Sequence, residues 1–471
     1  MSLAQYVLLA LLLCAGAGAA QAGEPPEDKD LDLIPPAAPA AAPRAAAQSA
    51  GALQKIYVED AFTASWLQDS LVPAPAPLPP RWEERALLDA RKEWQLADGV
   101  RLAYSGRLNL RAAEGLGSPS HENLTNDLRE AYLSWEPVDR LFLDAGRINL
   151  KSGIALGFNP TDFFKTRAVV EPLSADPAVL REDRLGVLML RAQRVWDAGS
   201  LTAAYAPAVA SDSSIYTSFD LPSFNPMFDR TNAHERWLLK GTVDVAGGLS
   251  PEVLAYASEG RVRFGANVAE NIGKSVVAYL EWSGGRQGSV SSDALAFGRA
   301  TGSLPAAAAG LLPGLAPTRF RNELAVGASY TTALPKITFN LEFHYEESGF
   351  SRRDWDQWFR TGNGSSAQSP IAGALWYVRD YASDQQRLIS RRFAFLNMDW
   401  VDAFVPKLEV SGFIDTDLVD GSTRLQLGAN YDLSDRWTIG ALVLIDSGGR
   451  RSNFGSLPQG GSVLLKVVRY F

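Results

Sequence analysis

The feature that most constrains this chain is a period of two in its apolar residues, repeated in sixteen segments from Val100 onward. Ile337, Phe339, Leu341, Phe343 and Tyr345 alternate with Thr338, Asn340, Glu342, His344 and Glu346, and Leu425, Leu427, Ala429 and Tyr431 alternate with Gln426, Gly428 and Asn430. Successive side chains of a strand point to opposite faces, so each run predicts a strand with one apolar and one polar side. The connections follow a second rhythm. Segments 136–139, 196–198, 245–248, 270–273, 333–335 and 401–405 are short, whereas 112–127, 150–183, 209–232, 285–319, 349–387 and 447–460 are long and mostly polar. A wall of strands that rise and descend in turn has this rhythm when one rim carries tight turns and the other carries loops. A soluble propeller would show a blade repeat instead, and the sequence has none.

Composition agrees once the geometry is considered. The chain is 46% hydrophobic and 21% charged with a formal charge of -8, numbers that look soluble. A wide barrel has the same balance, because alternate residues face lipid and the rest line a wet interior. No uninterrupted apolar stretch reaches the roughly 20 residues a spanning helix needs. There is no basic excess to attract nucleic acid. The expected fold class is therefore all-β, a transmembrane antiparallel β-barrel of 16 to 18 strands behind a short disordered N-terminal segment. Segment 86–96 fits a strand or a helix stripe, and if it is a strand, parity demands 56–66 as another. Such a width leaves an aqueous lumen.

The front of the chain divides by composition. Residues 1–22 are expected to be a cleaved export signal, since Leu8 to Ala20 is apolar or small and Ala20-Gln21-Ala22 is a small-x-small cleavage pattern. Cys14, the one cysteine, lies inside it. The exported chain would then have neither disulfides nor thiolate metal sites. Residues 23–81 are expected to form an Ala/Pro-rich periplasmic segment and linker, and 82–471 the barrel. Trp135, Trp196, Trp400, Trp437 and Phe471 fall beside the short turns or the chain end, where aromatic rings anchor a barrel at the membrane interface.

Function is expected in the lumen. The connection Leu150 to Asp183 is long enough to fold inward and narrow it, and its charges include Asp162, Lys165, Arg167 and Arg181. Alternation assigns Arg101, Arg107, Arg111, Arg261, Arg263 and Arg424 to the inner face, against Glu342 and Glu346 with His344 between them. Arginine forks suit an anionic solute, and mutual pairing across the lumen is the competing role for the same side chains. Catalysis is not expected. The three histidines, His121, His234 and His344, come with no Gly-x-Ser-x-Gly elbow, and no His or Cys cluster supports a metal. No cofactor is expected.

Three short stretches carry resemblances. Ser462 to Phe471 alternates and ends on an aromatic, and it resembles the C-terminal assembly signal of Gram-negative outer-membrane barrels, with Arg469 as the departure on the lipid side. That resemblance implies outer-membrane lipid and the barrel-assembly machinery as partners, the latter through Phe471. Gly146-Arg147 with Asn159-Pro160-x-Asp162-Phe163 resembles bacterial porin-like outer-membrane proteins. Trp82-Glu-Glu-Arg85, Ser105-Gly-Arg-Leu-Asn-Leu-Arg111 and Glu114 are similar to the opening of alginate-export-like barrels. The resemblances imply the barrel architecture and no substrate; the expected function is a channel for passage or export of a small polar or anionic solute or a polysaccharide. A non-conducting scaffold that binds partners through its loops is the alternative, and assembly into a homo-oligomer is left open.

Overall fold

A computed structural model describes residues 54–115, 124–170, 174–216, 225–245 and 249–471. They form one closed antiparallel sheet of eighteen strands. The first nine are β1 (Gln54–Leu67), β2 (Trp82–Ala97), β3 (Val100–Ala113), β4 (Leu124–Val138), β5 (Leu141–Ile148), β6 (Val187–Trp196), β7 (Gly199–Ala206), β8 (Arg236–Val243) and β9 (Glu252–Ser258). The second nine are β10 (Arg261–Ile272), β11 (Val276–Gln287), β12 (Arg319–Thr331), β13 (Ile337–Glu346), β14 (Arg392–Trp400), β15 (Leu408–Asp417), β16 (Thr423–Ser434), β17 (Trp437–Ser447) and β18 (Gln459–Tyr470). Each pairs with its sequence neighbours, and β18 closes on β1, with Val58 opposite Arg469 and Ala64 opposite Val463. The alternation sets the faces. Leu341 and Phe343 are 60% and 38% exposed on the outer wall, while Glu342 and His344 between and beside them are 2% exposed within.

Sixteen strands from Val100 to Tyr470 are where the period of two places them, and β1 and β2 complete the count at eighteen. The barrel thus begins at Gln54 and not at Trp82. The Pro-rich stretch 73–80 misleads because it reads as a linker, yet it is the connection between two wall strands. Residues 1–53, with the expected export signal and most of the Ala/Pro-rich segment, lie outside the described residues.

Arg469 departs from the apolar face without breaking it. Its guanidinium lies 5.5 Å from the centre of the Trp437 ring and 4.9 Å from that of Phe471. An aromatic surround of this kind offsets part of the cost of a charge at the lipid edge.

At the end with long connections the loops build a core of their own. Helices α2 (Val290–Ala300), α3 (Arg352–Gly362) and α4 (Pro370–Asp384) bury Val290, Leu295, Trp355, Trp358, Leu375 and Trp376 together with Val72 from the β1–β2 connection. Ser351 caps α3 in a reciprocal box with Asp354. Arg379 stands among Trp355, Trp358 and Trp376 with centroid distances of 4.9 to 5.6 Å, and donates to Ser456 and Asn453 of the last long connection. Burial pulls its pKa down to about 10, so it is still cationic at neutral pH. This cap ties four connections into one body.

Candidate functional site

The connection between β5 and β6 enters the barrel and is fastened to strands on widely separated parts of the wall. Its first arm meets carboxylates that alternation aims inward. Glu281 on β11 accepts from the backbone N–H groups of Ile154, Ala155 and Thr161 at 3.0, 3.1 and 2.7 Å, and from the Thr161 hydroxyl at 2.8 Å. Glu342 on β13 accepts from the N–H groups of Leu156 and Gly157 at 2.6 and 2.8 Å, and from the Tyr279 hydroxyl at 2.6 Å. A carboxylate with several N–H donors holds a backbone as firmly as a strand partner would. Gly153 is required here, with φ at +87° and an added Cβ falling 2.4 Å from a Glu281 oxygen.

The second arm returns by other strands. Gln426 on β16 accepts from the Ala175 N–H and donates to the Ser174 hydroxyl, both at 2.9 Å. Asp176 then caps helix α1 (Pro177–Asp183). Asp183 at its end joins a closed ring of two acids and two bases. Arg107 on β3 binds Asp89 on β2 at 2.9 Å and Asp183 at 3.0 Å, and Arg129 on β4 binds the same two acids at 2.6 and 3.0 Å. The two arms are clipped together where Arg184 forks onto Asp162 at 2.8 and 3.2 Å. Toward β5 to β9 the space is filled, since Phe163 and Phe164 pack with Val187, Met189, Leu238 and Leu254.

Of the thirteen expected site residues, eleven are held in these arrangements or in further pairs along the wall. Arg107, Asp162, Arg181 and Glu342 hold the loop, Arg181 by donating to the Ser152 and Gly153 carbonyls at 2.8 and 2.9 Å. Lys165 is buried against the Phe158 ring at 4.4 Å and donates to the Asn159 carbonyl; burial lowers its pKa against the pull of Glu323, Asp162, Glu346 and Glu281. His344 bonds Glu342 at 2.6 Å, with Phe158 and Phe395 near its ring. Glu346 takes Arg387 at 2.8 Å, Arg263 takes Glu323 at 2.7 Å, Arg424 forks onto Asp446 at 2.7 and 2.9 Å, and Arg111 takes Glu83 at 2.7 Å. Arg167 reaches outward to Asp384 at the end of α4 and to Asp212, linking the inner loop to the cap. Arg101 and Arg261 stay exposed near opposite rims and join no cluster.

Arg129 was not assigned to the lumen by alternation, which puts it on the outer face with Ala131 and Leu133. A bulge opposite Ser105 and Gly106 inserts it as the unpaired residue and turns it inward. Gln426 had the right parity but carries no charge to draw notice.

No protein-family profile matches this sequence, and no curated protein matches it. Among solved structures, two mutants of the Rhodopseudomonas blastica porin align over 89% of this chain and 100% of theirs, at 10% and 9% identity and TM-scores of 0.38 and 0.39. The alignment spans a barrel of distant sequence.

Proposed function

We propose that this protein is an outer-membrane channel that passes small polar solutes through a lumen narrowed by the loop between β5 and β6, without chemistry. The observation that carries the reading is the fastening of that loop to inward Glu281, Glu342 and Gln426. A closed eighteen-strand wall is wide enough for water, and a loop bonded across it sets what passes. The expected arginines are mostly paired with acids, so they offer little to an anionic solute, and the filled sector beside β5 to β9 is poor support for export of a polysaccharide. Lipid along the outer wall and recognition of Phe471 by barrel-assembly machinery belong to the same reading.

One observation favours a second reading. The helical cap ties four connections together over the long-loop rim, and a body of that kind also suits a non-conducting scaffold that binds a partner from outside. Liposome swelling separates the two. Liposomes containing the purified protein should swell in uncharged monosaccharide and respond less as the sugar grows; inserted protein that gives no swelling with any solute would favour the scaffold.

A further inference from the structure

Most inward carboxylates of this barrel are answered by a cation or several donors, and a few keep an oxygen without a donor among the described residues, Asp399 and Asp415 among them. Asp446 takes Arg424, Glu346 takes Arg387, and Glu342 takes His344 and two backbone donors. Asp399 on β14 is different. It is 6% exposed; the Asn397 side chain hydrogen-bonds its carboxylate, but Oδ2 has no hydrogen-bond partner among the described residues. A buried carboxylate oxygen without a donor costs free energy unless the group takes up a proton or a cation supplies the missing charge.

Its surroundings are acidic. Asp399 is opposite Thr338 on β13 and Ser411 on β15, and Ser411 is opposite Gly428 on β16. Glu409 is the next inward residue of β15. Asp176 descends into the same region because the Ala175 N–H is held by Gln426, one inward position above Gly428. Asp176 and Glu409 are the neighbouring charges felt by Asp399, and no cation is among the groups acting on Asp399 or Asp176. Thr338 is four residues below Glu342 on β13, so the cluster lies roughly 13 Å along that strand from the loop's attachment, toward the short turns.

The geometry points to a binding site for a small organic cation, one bearing an ammonium or guanidinium group, formed by Asp399, Glu409 and Asp176 beneath the crossing loop. The inference rests on the channel reading and names its solute class. Among the described residues the acids do not converge as a metal-ligand set. Separated carboxylates instead suit a cation whose several N–H donors are spread in space, and Ser411 and Thr338 add hydroxyl acceptors beside them. A stretch of lumen with one sign of charge also raises the local concentration of its counter-ion. Burial raises the pKa of Asp176, with the Glu409 carboxylate adding to the shift, as a group short of positive partners should show.

Planar bilayers test the site with protein that has already inserted. Under a KCl gradient the wild type should prefer K⁺ over Cl⁻, and putrescine should reduce the K⁺ current. Asp399→Asn with Glu409→Gln should lower the K⁺/Cl⁻ permeability ratio at least about threefold and abolish the putrescine effect. Asp399→Asn alone, which keeps the shape, should give part of both changes and serves if the double variant does not fold. Currents with unchanged selectivity and unchanged putrescine block in these variants would overturn the site and leave the channel reading standing. Absence of current from inserted wild-type protein would remove the channel reading and the site with it.

Discussion

Arg129 and Arg111 both pair with acids on β2, but one is sealed and the other is wet. The Arg129 side chain is 3% exposed beside an Asp89 that is 4% exposed, whereas Arg111 and Glu83 are 29% and 17% exposed. Breaking a sealed pair leaves a desolvated charge without an answer, at about 3 kcal/mol or more. A wetter pair is worth about 1 kcal/mol or less. Arg129→Met should therefore lower unfolding stability in urea by at least about 3 kcal/mol and Arg111→Met by about 1 kcal/mol or less. Equal losses would contradict the ring of Asp89, Arg107, Arg129 and Asp183 as the anchor of the second arm. This is also the scale at which the sequence was least legible. The parity of Glu342, His344 and Glu346 could be read directly, because their strand is regular. Arg129 could not be, because one bulge reverses its face and no local residue type announces it. The partners of Asp162 and Arg167 could not be either, since Arg184 and Asp384 meet them through the path of a loop and not through any spacing.

At the scale of elements, the loops behave as linked bodies, and one link titrates. His234, ahead of β8, bonds Asp212 at 2.6 Å and lies 3.3 Å from Glu259 in the β9–β10 turn, while Asp212 also holds Arg167 of the inner loop. The Asp212 hydrogen bond holds the His234 pKa above the ordinary value, with Glu259 adding to it against partial burial. A histidine raised in the fold stabilises fully below its unfolded value of about 6.5, and that contribution is lost as pH rises through the folded value. Hydrogen-exchange protection of residues 207–216 should fall between pH 5.5 and pH 8.5, after correction for intrinsic exchange, and His234→Gln should remove the dependence. A fall of the same size in the variant would assign the effect elsewhere. Strand elements were legible from alternation because each repeats its signal over many residues. The cap was not, because α2, α3 and α4 bury a shared core whose members, from Val72 to Ala382, come from distant connections.

For the whole molecule, the alternation of short and long connections carried the topology, and eighteen strands closing on β1 is its outcome. The interior is then divided by one loop. On the β5 to β9 side Phe163 and Phe164 seal it with apolar contacts, and toward β11, β13 and β16 it hangs on Glu281, Glu342 and Gln426. In sequence the arginine-rich inner face suits an anionic solute or pairing across the lumen alike, because spacing shows a charge without its partner. In the fold those charges mostly brace the loop and the wall, and among the described residues Asp399 on β14 and Asp415 on β15 each keep a buried carboxylate oxygen without a donor. The loop should therefore govern conduction more than any rim charge does. The most direct measurement is single-channel current from purified wild type and from the Glu281→Gln, Glu342→Gln double variant, compared in the same planar bilayers. The account predicts discrete open steps for the wild type, and larger or flickering steps when the first arm loses its carboxylate anchors. Wild-type protein that inserts but never conducts, or a double variant with unaltered conductance and noise, would contradict it.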